Sequence, residues 1–258
     1  RDTEAEVETA LQFYPHLLSR RKEVRWDDDE GEVIEWVDAE GEGEYPIQCL
    51  LYIPLIDSSR CSLKAVSFVA VLARLGKVSN QFTEEERGGL LIVDHTGTYT
   101  LERLVCVSYS NYVEDYDRLV ENIYLTQLLQ LRRMDLFMKE DIRDHTLVIH
   151  LGHAEYFPKI IFRFLAEWDP TSLLQSDHIN DLLLHFPMRV KTCSYSWDFE
   201  WASIYLREFQ LVFDYVIRYY PNKKGICLLF TKNNNNETPF QRACVRYKYE
   251  PVMKIVED

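Results

Sequence analysis

The 258-residue chain has no apolar run approaching the ~18 residues that a membrane-spanning helix needs. No membrane partner is expected. Glycine and proline number nine each, too few for a collagen-like or linker-rich polymer. None of the six cysteines (Cys49, Cys61, Cys106, Cys193, Cys227, Cys244) falls in a Cys-x-x-Cys pair, which leaves zinc-ribbon and thioredoxin-like readings without support. Several sit in apolar runs such as Ile226-Cys227-Leu228. That is the expectation for buried free thiols in a reducing, intracellular compartment, cytoplasmic or nuclear. Catalytic signatures are also missing. There is no Gly-x-Ser-x-Gly, no His-Glu-x-x-His and no kinase signature. Gly41-Glu42-Gly43 is flanked by acids and lacks a following Lys-Ser/Thr, so it is no phosphate cradle. No catalytic residue, cofactor or metal ligand is expected, and the chain is read as not an enzyme.

A basic excess is absent too. The net charge is −13, and its distribution carries more than its size. Residues 1–44 hold 15 acids and 5 bases, whereas residues 45–258 hold 27 and 24. The body therefore lacks the positive field that a phosphate backbone requires, and nucleic acid is not an expected partner. The boundary predicts an acidic N-terminal helix and loop over 1–44 and a separate domain over 45–258. The chain opens at Arg1 without an initiator Met and closes at Asp258 inside a helical pattern. This is expected of a piece of a longer protein, so a missing leader excludes nothing.

What is present is a globular composition, 47% apolar and 28% charged, with helical periodicity. Residues 3–18 place Val7, Ala10, Leu11, Tyr14, Leu17 and Leu18 on one helical face. Lys64–Gly76 is apolar nearly all round, as in a helix packed on several sides. Asp117–Phe137, Pro158–Trp168 and Tyr205–Tyr220 carry further apolar stripes, with Asp214 and Arg218 spaced for an i,i+4 pair. Alternating patterns are scarce. Residues 23–44 are expected to form loop and turn with a short helix at 32–38.

A repeat runs through this pattern. Gly43-Glu44-Tyr45-Pro46-Ile47-Gln48 is matched by Gly97-Thr98-Tyr99-Thr100-Leu101-Glu102 and, more loosely, by Asn180-Asp181-Leu182-Leu183-Leu184-His185. The clearest copy is Asn236-Glu237-Thr238-Pro239-Phe240-Gln241. Gly or Asn suits the left-handed backbone of a tight turn. Thr238 and Gln241 have the spacing of a capping box. Pro46 and Pro239 fall at a first helical position, where a missing N–H costs nothing. Each copy thus predicts a turn followed by a helix start, with Phe240, Ile47, Leu101 and Leu184 pointing to the core. The long gap between Gly97 and Asn180 predicts an eroded copy near Asp144-His145-Thr146-Leu147-Val148. Gly89–Asp94 and Gly225–Phe230 are echoing apolar stretches ahead of two of the turns.

Asn236-Glu237-Thr238-Pro239-Phe240-Gln241-Arg242-Ala243-Cys244 resembles the Gly-x-Thr-Pro-Leu-His-x-Ala-Ala core of an ankyrin repeat, and Val252–Val256 resembles that repeat's second helix. Most of 45–258 is similar to divergent, long-period ankyrin-like proteins of diatom type. Tyr45–Leu50, Glu167-Trp168-Asp169-Pro170 and Arg218-Tyr219-Tyr220-Pro221 carry that likeness. The resemblance implies an all-α fold, an irregular ankyrin-like α-solenoid of about five helix-turn-helix units behind an acidic head. It also implies a non-catalytic protein-binding scaffold with a protein partner. Gly43, Pro46, Gln48, Gly97, Asn180, His185, Asn236, Thr238, Pro239, Gln241 and Ala243 are its structural positions. Arg103, Arg242 and Arg246, near helix starts, are the contact candidates. A regulatory module of a larger enzyme or receptor is the alternative, and a hydrolase or metal enzyme the remote one.

Two acidic or histidine-rich stretches are weighed and set aside. His145 and His150 stand about 140° apart on a helix and on opposite faces of a strand, unsuited to share a metal. Asp27–Asp38 has the length of a calcium loop, but Glu32 stands where glycine is required and Asp38 replaces the closing Glu.

Overall fold

The computed structural model describes residues 3–26, 33–38, 43–51, 63–94, 96–107, 114–154, 157–188 and 199–257. These residues are mostly helical and almost free of strand, as the periodicity predicts. They form two compact units, Arg1–Met138 and Lys139–Asp258.

In the first unit the leading helix, α1 (Glu4–Phe13), starts at a reciprocal cap. The Glu6 N–H donates to Thr3 Oγ1 at 3.3 Å and the Thr3 N–H to Glu6 Oε2 at 2.6 Å. It stops short of the expected residue 18 because Pro15 cannot continue it. The chain tightens into a 3-10 turn over Pro15–Ser19 that buries Leu18. Strands β1 (Lys22–Trp26) and β2 (Val33–Asp38) then pair antiparallel, with Lys22 opposite Asp38 and Val24 opposite Trp36. The expected helix at 32–38 is therefore a strand. Val33, Ile34, Trp36 and Val37 are strong β-formers, and the surrounding acids had obscured that pattern. The part of the calcium-length stretch at 27–32 lies outside the described residues.

Helices α2 (Pro46–Cys49), α3 (Leu63–Val66) and α4 (Val69–Val78) follow. The expected helix 64–76 is interrupted at Ser67, whose hydroxyl bonds the Lys64 carbonyl at 2.6 Å. Val69 through Ala73, Leu75 and Gly76 are all buried, matching a helix packed on several sides. Helix α5 (Thr100–Val105) leads to α6 (Glu114–Arg133), which packs on α3, α4 and α5 and buries Val120, Tyr124, Leu128 and Leu131. One orphan amide at the start of α4 is satisfied across this contact. The Ala70 N–H donates to the buried Gln127 Oε1 at 3.1 Å.

In the second unit α7 (Lys139–Asp144), α8 (Leu147–His153) and α9 (Lys159–Trp168) precede the buried Asp169. Its carboxylate accepts from Thr171 Oγ1 at 2.7 Å and meets Arg143 Nε at 2.9 Å. Helix α10 (Phe199–Tyr219) buries Phe209, Val212, Phe213 and Val216. Arg218 lies 3.9 Å from Glu167 and over the rings of Tyr215 and Tyr219. Its guanidinium thus reaches α9 and two aromatic faces rather than the expected partner Asp214. Helices α11 (Lys223–Leu228), α12 (Pro239–Tyr247) and α13 (Tyr249–Glu257) complete the unit. Cys227 is exposed on α11, contrary to the expectation of burial. The short helix turns Ile226 and Cys227 outward and buries Leu229 instead.

Two glycines separate backbone angle from packing. Gly88 has φ 70°, and an added Cβ would lie 1.9 Å from the Ala73 carbonyl oxygen. Gly97 has φ 80° with open space around it. Gly97→Ala should cost about 1 kcal/mol from backbone strain alone. Gly88→Ala adds a backbone collision and should cost about 3 kcal/mol. Urea midpoints of the two variants measure the difference.

Candidate contact surface

Three of the four repeat copies fold into one turn. Its organiser is a residue the sequence pattern had left out, standing three places before the Gly or Asn: Asp94, Asp177 or Asn233. A side-chain oxygen of each accepts two backbone amides. Asp94 Oδ1 takes those of Thr96 and Thr98 at 2.7 and 3.0 Å. Asp177 Oδ1 takes those of Ile179 and Asp181 at 2.9 and 2.8 Å. Asn233 Oδ1 takes those of Asn235 and Glu237 at 3.0 and 2.9 Å. Gly97, Asn180 and Asn236 turn the chain with φ of 80°, 60° and 62°. Each N–H there meets the organiser's carbonyl at 3.0 Å. The signal was available in the sequence, since an Asx turn places Asp or Asn at this offset.

The helix starts also match, with different chemistry. At Thr238 the capping box is complete, the Gln241 N–H to Thr238 Oγ1 and the Thr238 N–H to Gln241 Oε1 both at 3.1 Å. His185 does the work of Gln241 with its ring, as Nδ1 accepts the Leu182 N–H at 2.9 Å. Gln48 Oε1 accepts the Tyr45 N–H at 2.9 Å. The Leu101 and Phe240 amides bond the Leu90 and Leu229 carbonyls at 2.9 and 3.0 Å. The echo ahead of these turns is therefore real but shifted by three residues, Asp94 matching Asn233 and not Phe230. The segment at 144–148 is a different shape. Thr146 has φ 46°, but α8 begins at the next residue without a hairpin. The first copy adjoins residues 41–42, which lie outside the described ones.

The third and fourth turns stack on each other. The Asn234 N–H donates to the Ile179 carbonyl at 2.9 Å, and Asn180 Nδ2 to Asn234 Oδ1 at 2.7 Å. Asp181 is fully buried. It receives Asn233 Nδ2 at 2.6 Å and Arg242 Nη1 at 2.9 Å. His185 Nε2 faces the Glu237 carbonyl at 3.4 Å. Asn180, His185, Asn236, Thr238, Pro239, Gln241 and Ala243 thus form one scaffold, with Ala243 at 0% exposure beneath it.

The three arginines proposed as contacts each have partners inside the chain, and those of Arg242 lie within this scaffold. Arg103 pairs with Asp94 of its own turn. Arg242 bridges Asp181 and Glu237. Arg246 lies over the Tyr205 ring at 5.8 Å. Burial alone would depress the Arg242 guanidinium, but hydrogen bonds to Glu237 and Asp181 outweigh it and raise its pKa. Burial would raise Asp94, yet the bonds from Thr96, Thr98 and Arg103 hold it below the ordinary carboxylate value. What remains outward is the rim of the turns, where His178, Asn180, Asn234, Asn235 and Asn236 are exposed.

Other candidate chemistry is sparse. His150 and His153 have ring centroids 6.4 Å apart, and His153 Nε2 lies 3.9 Å from Asp177 Oδ2. Among the described residues, no three His, Cys, Asp or Glu gather as a metal set. A hollow between α1, α4 and α6 is lined by Glu4, Glu8, Arg74, Gln130 and Arg133, with no nucleophile–base pair. No described helix is long and apolar enough to cross a membrane. Comparison with family models, curated proteins and solved structures finds no match.

Burial pushes the His185 pKa below its ordinary value, against the nearby charge of Asp181. The folded state holds the ring neutral, so its contribution is present above about pH 6.5 and is lost as pH falls below it. The urea midpoint should therefore drop between about pH 7.5 and 5.5. His185→Gln, which keeps the cap, should flatten that dependence, and an unchanged slope would contradict the assignment. Asp181→Ala should cost about 2–3 kcal/mol, by removing the buried carboxylate that Arg242 and Asn233 share.

Proposed function

We propose that this chain is a divergent ankyrin-like helical repeat protein acting as a non-catalytic scaffold for a protein partner. The observation behind the reading is the division of labour within each turn. The backbone and inward side chains are held by repeated hydrogen bonds, while the exposed side chains of His178 and Asn235 take no part in the hydrogen bonds that stack the turns. Such a surface can change its side chains without disturbing the stack, which suits recognition by rigid loops. Pinned loops also lose little conformational freedom on binding. The contact residues on this reading are His178 and Asn235 at the rim of the third and fourth turns, with Arg242 positioning the turns behind them; Arg103 holds the separate turn at Asp94 in the same way.

Affinity capture from a native extract tests this with two variants. His178→Glu/Asn235→Arg should leave the fold and melting temperature unchanged and lose the captured partner. Arg242→Glu should lose the partner only along with thermal stability, since it breaks the pair with buried Asp181. Retention of the same partner by the rim double variant would contradict the proposal.

A further inference from the structure

One cap position in the repeat carries a titratable ring. In the first and fourth copies Gln48 and Gln241 hold the cap amide with a side chain that does not titrate. The third copy uses His185, which is 0% exposed and has both ring nitrogens committed. Nδ1 accepts the Leu182 N–H at 2.9 Å, so it carries no proton. Nε2 faces the Glu237 carbonyl at 3.4 Å, so it carries one. These bonds assign the neutral Nε2–H tautomer. They also belong to different turns. Leu182 is bridged to Ser176 across the third turn. The Glu237 carbonyl accepts the Asn233 N–H at 3.0 Å and so closes the fourth.

We propose that His185 is a proton-operated latch, which holds the third and fourth turns together while neutral and releases them when protonated. A proton added at Nδ1 would point at the Leu182 N–H, donor against donor, so the ring cannot take the proton and keep that bond. Its departure strands the Leu182 amide and draws Nε2 away from the Glu237 carbonyl. That is the seam where the Asn234 N–H meets the Ile179 carbonyl and Asn180 meets Asn234. The charges at the ring act in opposite senses. Asp181 of the third turn favours an imidazolium, and Arg242 of α12 opposes it. The elements packed against the 3-10 turn Leu183–Met188 also bring Glu208 on α10 and His150 and His153 on α8. Burial outweighs the pull of Asp181, so the closed stack keeps the ring neutral. An opened stack lets the ring take a proton at its ordinary value, about 6.5. Acid therefore favours opening, by up to about tenfold per pH unit below that value. The scaffold reading puts a partner across His178 of the third turn and Asn235 of the fourth. Resting on that reading, the latch gives the rim a means of release in acid.

Amide exchange of the whole chain with no partner present tests the latch apart from the scaffold reading. Protection factors, which remove the intrinsic pH dependence of exchange, are compared at about pH 7.5 and about pH 5.5. Those of Leu182, Asn234 and Glu237 should fall about tenfold. Ala70 of the first unit, bonded to Gln127, should keep its own. The fall should persist unchanged in about 1 M urea, as for a small local opening. His185→Gln, with the side chain that serves at Gln48 and Gln241, should remove it, and His153→Gln should leave it. Ring ¹⁵N shifts should show His185 as the Nε2–H tautomer at the higher pH. The proposal is overturned by an Nδ1–H tautomer, by no fall, or by a fall that Ala70 shares. A steep urea dependence, survival of the fall in His185→Gln, or its loss in His153→Gln overturns it equally.

Discussion

A single side-chain oxygen at the entrance of each turn holds the architecture together. Asp94, Asp177 and Asn233 each gather two amides that would otherwise be unsatisfied at a sharp reversal. This interaction fixes where the following helix begins, because the cap residue is the next extended position after the turn. The capping groups differ (Thr238 with Gln241 in one copy, the His185 ring in another), yet they complete the same backbone path. Local hydrogen bonds of this kind do not depend on sequence identity along the helices. A long, irregular repeat can keep its turns while its helices drift.

Stacking then converts local turns into shared structure. The third copy's Asp181 is a buried carboxylate, costly alone, and it is met by Asn233 and Arg242 of the fourth copy. His185 contributes from the same side through its second nitrogen. Removal of either turn would strand polar groups in the other, so the two copies should open together. This is the nearest-neighbour cooperativity expected of stacked repeats.

Much of this was legible in the residues. The stripes at 158–168 and 205–220 became α9 and α10, and Thr238-Pro239-Phe240-Gln241 became a complete capping box, because both signals are local. The breaks at Pro15 and Ser67 were missed although each residue has a local effect, since the apolar stripe runs straight through them. The β1–β2 pair escaped because acidic residues hid a β-forming core. The turn organisers were missed for another reason. Asp94, Asp177 and Asn233 lie outside the helix-start pattern, and their role depends on a side chain folding back on its own turn. Arg103 and Arg242 looked like surface contacts, because their buried carboxylate partners, Asp94 in the same turn and Asp181 far away in sequence, cannot be read from a linear motif.

Residue-resolved hydrogen exchange tests the central claim most directly, by following the Ile179, Asp181, Asn234, Asn235 and Glu237 amides in the native chain and in Asp177→Ala. Loss of the organiser in the third turn should raise exchange there and also at Asn234, whose amide bonds the Ile179 carbonyl. Exchange that rises only at Ile179 and Asp181, or nowhere, would contradict a coupled array of turns.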